Sequence, residues 1–375
     1  MAHSGEKKRY FPNLNGIRCI AALLVVFHHL EQAKHAFGID NLYDVTIIKH
    51  AGRLGVGLFF VLSGFLITYL LLEEKGRFGD VDAKKFYLRR VFRIWPIYFL
   101  IIGLSFFVFP HIDLLYFPGA NEKLTHDVAP RLALLLLVLP NYAFVLYDLP
   151  YWCAQTWSIG VEEQFYYLWP WIIKYPKKSG RIVFLFLLVT VAVLFCGTYL
   201  LDKTDEEKIS AITTFLGQFR IQTMALGGLC AYMVYTQKTK FLDIIFRKDV
   251  QVAVYTLLAI LFFSGIHFTG FLELYALFFS FFVLNVSCNP NTIISLENRV
   301  MSYLGKISYG LYIYHVFVIV FIINALRIYA PQITGTGYHI LLYILTFVLS
   351  VAVTALSFNY FEKPLLAFKD RHFGR

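Results

Sequence analysis

Charge is what this sequence has least of. Only 15% of its 375 residues are Asp, Glu, Lys or Arg, while 58% are hydrophobic. Soluble domains carry roughly 25% charged and about 45–50% apolar residues. The shortage excludes a water-soluble globule, because too few polar side chains remain to coat a core. Cysteine is scarce too. Cys19, Cys153, Cys196, Cys230 and Cys288 lie scattered in or beside apolar runs, without a C-x-x-C pair or zinc-type spacing. Neither a disulfide framework nor a metal site is expected. No small-residue cleavage site follows the first apolar run, which leads into His28-His29-Leu30-Glu31, so that run is read as a retained span. No internal repeat is visible, and there is no inverted pair of interrupted helices of the kind that marks many secondary transporters. No loop is long enough for a soluble domain. The chain is therefore read as one membrane domain over 1–375 with none appended.

What the sequence does have is long apolar runs. A span needs about 20 mostly apolar residues. Nine runs qualify: 14–34, 54–72, 91–109, 181–201, 211–235, 250–268, 270–287, 303–329 and 338–361. Between them, 131–174 holds two apolar pieces separated by a proline-containing stretch. The net charge of +10 does not indicate a nucleic-acid binder, because the basic residues sit in short loops between spans. Lys75, Arg77, Lys84, Lys85, Arg89 and Arg90 share one loop, and Lys174, Lys177, Lys178 and Arg181 another, whereas 201–208 is net acidic. Alternating the spans puts every basic loop on the cytoplasmic side only if 131–174 crosses once in net. The reading is an all-α polytopic transmembrane helical bundle of about ten spans, with both termini cytoplasmic and a broken or re-entrant segment near 131–174. Irregular backbone at membrane depth is tolerated only against protein or a wet cavity, so a site is expected there.

Ionisable groups inside spans are functional candidates by default. Arg18 and His29 are eleven residues apart. At ~100° and ~1.5 Å per residue, His29 returns to within about 20° of Arg18 and roughly 16 Å further along. Arg90 and Arg93, at i and i+3, share a face at the start of the third span, while Arg89 diverges. Anchoring at the cytoplasmic boundary would account for these arginines. So would a phosphate clamp, since guanidinium forks bind phosphate in bidentate fashion. Glu162 and Glu163 stand inside an apolar piece with Ser158 one turn before Glu162, and such carboxylates call for a His or Arg partner. Gly55, Gly57, Ser63 and Gly64 read mainly as close helix packing. His315 among tyrosines fits a structural or a functional role equally. Glu362 reads as a local ion pair with Lys363.

Six stretches, in order, carry a resemblance: NLNGIRCIAALLVVFHH, GVGLFFVLSGFLIT, FYLRRVFRIWP, TWSIGVEEQFYYLWP, YLGKISYGLYIYH and the terminal FEKPL. Together they resemble the acyltransferase-3 family of membrane O-acyltransferases across nearly the whole chain. The family's Arg/Lys, ten residues, then His is matched by Arg18 and His29. Its RxxR motif is matched by Arg90 and Arg93, and its serine-plus-glutamate stretch by Ser158, Glu162 and Glu163. Two departures stand out. Asn15 occupies a position where the family often has Asp, removing an acidic partner for Arg18. Gly57 stands where a polar or acidic residue is common. Some relatives carry an extra extracytoplasmic hydrolase-like domain that completes transfer; this chain is expected either to finish the reaction itself or to hand over to a separate extracytoplasmic transferase partner.

The resemblance implies a cytoplasmic acyl-CoA donor, by family default acetyl-CoA, no metal, and a hydroxyl acceptor on a cell-surface or exported glycan at the bacterial inner membrane. The arginines would hold the coenzyme phosphates while the pantetheine arm reached up to His29. His29 would act as general base or transient acyl carrier, oriented by Glu162 or Glu163. The rival reading is a transporter or flippase for a glycan or anionic metabolite, which would also use intramembrane His and Glu.

Overall fold

A computed structural model describes residues 10–120, 124–175, 182–187, 189–190, 192, 219–266, 268 and 270–373. Among these there is no strand. The expected span over 181–201, the opening of the one over 211–235, the acidic loop 201–208 and Cys196 fall wholly or largely outside the described residues.

The apolar runs become helices because lipid offers the backbone no hydrogen-bond partners. The first three are α1 (Leu14–Ala36), α2 (Thr46–Phe78) and α3 (Ala83–Phe107). The stretch 131–174 is broken, as expected. It comprises α4 (Val128–Leu136), α5 (Pro140–Tyr147), a 3₁₀ segment over Tyr151–Thr156, and α6 (Trp157–Lys174). There follow α7 (Ile221–Tyr235), α8 (Thr239–Ile245), α9 (Lys248–Ser264) and α10 (Phe271–Cys288). The run 303–329 is divided at Ile307 into α11 (Arg299–Lys306) and α12 (Ser308–Tyr329). Last come α13 (Gly335–Ser357), a π-turn over Phe358–Glu362, and α14 (Lys363–Phe373). Six helical stretches among the described residues are long and apolar enough to cross a bilayer, beginning at Leu14, Thr46, Ala83, Phe271, Ser308 and Gly335. The chain is an integral membrane protein built as a helical bundle.

α2 is the central post. Its buried face, including Phe60, Val61, Leu62 and Phe65, packs on α1, α6, α7 and α10. The contact with α7 is backbone to backbone. A Cβ on Gly64 would collide with the Met224 carbonyl oxygen, and one on Gly227 with that of Val61. Glycine at both positions is what lets the helices approach this closely. α1 is fixed at both ends. At its start, Asn13 in the left-handed conformation donates to the Val286 carbonyl (2.8 Å) and accepts from Leu296 N–H (2.7 Å). At its far end, buried Glu31 accepts from Lys34 (2.7 Å), from Leu42 N–H and from the Tyr343 hydroxyl of α13.

Candidate active site

Arg18, Arg90 and Arg93 converge. Arg18 comes from α1 and the other two from one face of α3. All three border two adjoining cavities of about 460 and about 100 Å³, which also share Ser63 and Tyr166. No hydrogen bond or ion pair joins any of the three guanidinium groups to a described residue. Arg90 lies over the rings of Phe86 and Tyr166, each 5.8 Å away, and its Nε is buried without a partner. Arg89 turns elsewhere and pairs with Glu74 at 3.2 Å, so the divergence expected from helical spacing is what the helix shows. Glu162, Glu163 and Glu362 lie within electrostatic reach of these guanidinium groups, yet none of them pairs directly with one, so the guanidinium N–H donors are left unused. Guanidinium forks with unused donors around a cavity can receive a polyanion. A fourth group approaches from the C-terminal part of the chain. The Glu362 carboxylate lies within electrostatic reach of Arg93, and its Oε1 is buried against the Gly310 position on α12. That corrects the expected pairing with Lys363. Successive helical residues point about 100° apart, and here Glu362 turns into the bundle.

The narrower cavity leads away from the arginines between α2, α6 and α12. Glu162 stands in its wall, accepting from the Ser63 hydroxyl (3.1 Å) and the Tyr166 hydroxyl (2.9 Å). Glu163 faces α3, where Trp95 Nε1 donates to it at 3.2 Å. Ser158 is buried one turn further, 2.7 Å from the Tyr312 hydroxyl. The Tyr312 hydroxyl donates to the Gln155 carbonyl (2.8 Å) and so accepts from Ser158. Gln155, in the 3₁₀ segment, donates from Nε2 to the Ile313 carbonyl (2.8 Å). The broken segment thereby grips α12 two residues before His315.

His29 is held by His315. The two rings face each other with centroids 5.0 Å apart, and His315 Nε2 lies 2.9 Å from His29 Nδ1. His315 Nδ1 is 3.0 Å from the Leu311 carbonyl. A carbonyl only accepts, so the proton of His315 sits on Nδ1 and its Nε2 presents a lone pair. His29 therefore carries its proton on Nδ1, where the Val25 carbonyl at 3.1 Å favours it as well. The consequence is chemical: His29 Nε2 is left with a free lone pair, the state a general base requires. The logic is that of a catalytic triad in which a third group sets the tautomer.

The expected partnership of His29 with Glu162 or Glu163 is corrected accordingly, because their hydrogen bonds go to Ser63, Tyr166 and Trp95. Arg18 and His29 both look toward α12, Arg18 onto the cavity that Ser308 and Tyr312 border and His29 onto His315. The rings of Phe59 and Tyr312, 6.1 Å apart, close the small cavity, and Tyr312 is itself 6.1 Å from the His315 ring. Sequence reasoning left His315 undecided and missed Ser63, which it assigned to packing. Among the described residues, no three His, Cys, Asp or Glu side chains gather to hold a metal ion.

The family described as acyltransferase domain matches residues 11–356. The chain is similar to the O-acetyltransferase OatA of Staphylococcus aureus, at 25% identity over 394 residues, covering 95% of this chain and 57% of that protein. It is similar to YrhL of Bacillus subtilis, whose name assigns it provisionally to peptidoglycan O-acetylation, at 25% identity over 403 residues, covering 100% of this chain and 58% of that one. A further relative from Staphylococcus aureus strain COL, provisionally named an O-acetyltransferase, is 26% identical over 386 residues, with 96% of this chain and 58% of the relative covered. The chain thus spans under three-fifths of the length of these relatives. No solved structure matches.

Proposed function

We propose, from the premise that this chain belongs to the acyltransferase family, that it is a membrane O-acyltransferase moving an acyl group from cytoplasmic acyl-CoA to a glycan hydroxyl. The single observation that carries the reading is the pairing of three arginines, none in a direct ion pair with a described residue, at one end of a cavity with an imidazole of fixed tautomer beyond the other. The 3′-phosphate and diphosphate of coenzyme A would sit among Arg18, Arg90 and Arg93. The pantetheine arm would enter the narrow cavity past Glu162 and Ser158. From Arg18 to His29 the helix rises roughly 16 Å, about what an extended arm reaches. The rings of Phe59 and Tyr312 would swing aside to admit the thioester.

His29 Nε2 would then take the proton of the acceptor hydroxyl as its oxygen attacks the thioester carbonyl. The C–O bond forms, the C–S bond breaks, and the departing thiolate receives the proton from His29 to leave as free coenzyme A. The ester product holds the acyl group. His315 would stabilise the imidazolium formed in passing by accepting from its Nδ1–H. Acetyl as the acyl group and a cell-envelope glycan such as peptidoglycan as the acceptor follow the names of the relatives. Termini in the cytoplasm would follow from the basic loops, and a bacterial inner membrane from the bacterial relatives.

The test is purified chain in liposomes with acetyl-CoA labelled in the acetyl group. Label transferred to a glycan, with stoichiometric release of coenzyme A, supports the enzyme. Glycan or anion flux with no coenzyme A consumed would establish a transporter instead.

A further inference from the structure

A second cavity, of about 410 Å³, lies at the opposite end of α2 from the arginine cluster. Its polar groups are Arg53, Arg220 and Thr223, and its walls are mostly rings, among them Phe60, Trp157 and Tyr275. Arg220 is neutralised, its Nη1 donating to Glu273 at 2.6 Å. Arg53 is not: its side chain is exposed to the cavity and makes no hydrogen bond or ion pair with a described residue. It stands seven residues into a membrane helix, about 10 Å from that helix's start, where an uncompensated cation is costly. Its neighbour Gly52 packs on the His28 ring, which sets Arg53 level with His29. Val56 and Phe60 border this cavity and the narrow one beyond the arginines alike, and the rings of Phe60 and Trp157 stand edge to face at 6.4 Å. One layer of side chains therefore separates the two chambers.

We propose that this cavity is the acceptor subsite and that it takes a sugar bearing a carboxylate or phosphate, with Arg53 binding the anion. Pyranose rings present flat C–H faces that pack on aromatic side chains, and Trp157, Phe60 and Tyr275 supply them. A guanidinium without a partner among the described residues supplies directional recognition of a planar carboxylate or a phosphate. The Thr223 hydroxyl adds a neutral donor and acceptor. A sugar seated here lies one layer of side chains from the donor arm, and direct transfer requires the Phe60–Trp157 contact to open so that hydroxyl and thioester meet. The assignment rests on the acyltransferase reading only for the word acceptor; the anionic-sugar site itself does not depend on it.

The test is calorimetry of the full chain in zwitterionic nanodiscs with three probes: trigalacturonate for the carboxylate, glucose 6-phosphate for the phosphate and neutral chitotriose as reference. At least one anionic probe should bind about tenfold or more tighter than chitotriose, and Arg53→Gln should remove that difference while changing chitotriose binding by under about twofold. Arg53→Lys, which keeps the charge, should retain part of the preference and guards against a folding artefact. An equal loss for all three probes, a preference that survives Arg53→Gln, or no preference in the parent overturns the proposal. Displacement of the sugar by phosphatidylglycerol vesicles would mean that a lipid phosphate occupies the site, and would overturn it too. If labelled acyl transfer is normal but charge preference is absent, the subsite falls and the enzyme stands. If anionic sugars bind through Arg53 but coenzyme A is never consumed, the enzyme reading falls and the sugar site stands.

Discussion

The two ends of α1 treat charge in opposite ways. At one end Glu31 and Lys34 are both buried, with 0% and 4% side-chain exposure, and neutralise each other at 2.7 Å while Tyr343 and Leu42 N–H complete the carboxylate. At the other, Arg18 meets Arg90 and Arg93 around a cavity where, among the described residues, no carboxylate is in ion-pair contact with any of them. The first is closed, each carboxylate oxygen having an internal donor, and such a group holds helices in register. The second is open: its guanidinium donors have no direct partner among the described residues, and an anion from outside can fill the cavity they border. Within one helix, satisfaction of the charge, more than its presence in a span, separates scaffold from site.

Substitutions at six positions, the last read by titration, would break or sharpen that contrast. His29→Ala carries the largest expected effect, a loss of acyl transfer of about 100- to 10,000-fold with the fold retained, measured as coenzyme A release. Next is His315→Leu, which leaves His29 Nδ1–H with only the more distant Val25 carbonyl. The rate should fall about 5- to 150-fold, the range of an unmade buried hydrogen bond, with the Michaelis constant for donor unchanged. His315→Gln, whose amide oxygen still accepts, should recover much of it; a purely structural role would not show that rescue. At the open end, Arg90→Gln or Arg93→Gln should weaken donor binding about 10- to 100-fold without lowering the unfolding temperature.

At the closed end the signs reverse. Glu31→Gln should destabilise the protein by about 3 kcal/mol, because Lys34 is left buried and unpaired, while activity per folded molecule stays normal. Thermal unfolding in detergent, paired with the transfer assay, reads both. The smallest effect belongs to the surface pair Asp80–Lys174, 2.9 Å apart and outside the spans. The Lys174 ammonium hydrogen bond holds the Asp80 carboxyl below the ordinary carboxylate range. Its contribution is therefore present above the unfolded carboxyl value of about 4 and is lost as pH falls through the lowered one. Asp80→Asn should leave the unfolding temperature at neutral pH nearly unchanged and flatten only the acid limb.

The helices were legible because lipid forces apolar runs into them, and the break in 131–174 announced itself through Pro140 and Pro150. The arginine cluster was legible because helical spacing alone puts Arg90 and Arg93 on one face and sends Arg89 elsewhere. The partner of His29 was not. His315 lies 286 residues away, and no local pattern says which of several intramembrane polar groups will meet. Glu162 and Glu163 looked suitable by chemistry, yet α6 aims them at Ser63, Tyr166 and Trp95. Ser63 was concealed by company: among Gly55, Gly57 and Gly64 it reads as one more small residue, and only its contact with Glu162 separates it. Gly57 differs from its neighbours in the same run, bordering the aromatic cavity where Gly64 seals a helix contact.

The central claim is that the open arginines wait for the phosphates of a thioester donor. The most direct measurement is the affinity of the full chain in nanodiscs for coenzyme A against that for pantetheine, which keeps the arm and thiol but lacks the nucleotide and its phosphates. Coenzyme A should bind at least about 100-fold tighter, and the Arg18→Gln, Arg90→Gln, Arg93→Gln triple variant should bind the two alike. Equal affinity in the parent chain, or a preference for coenzyme A that survives the triple substitution, would contradict it.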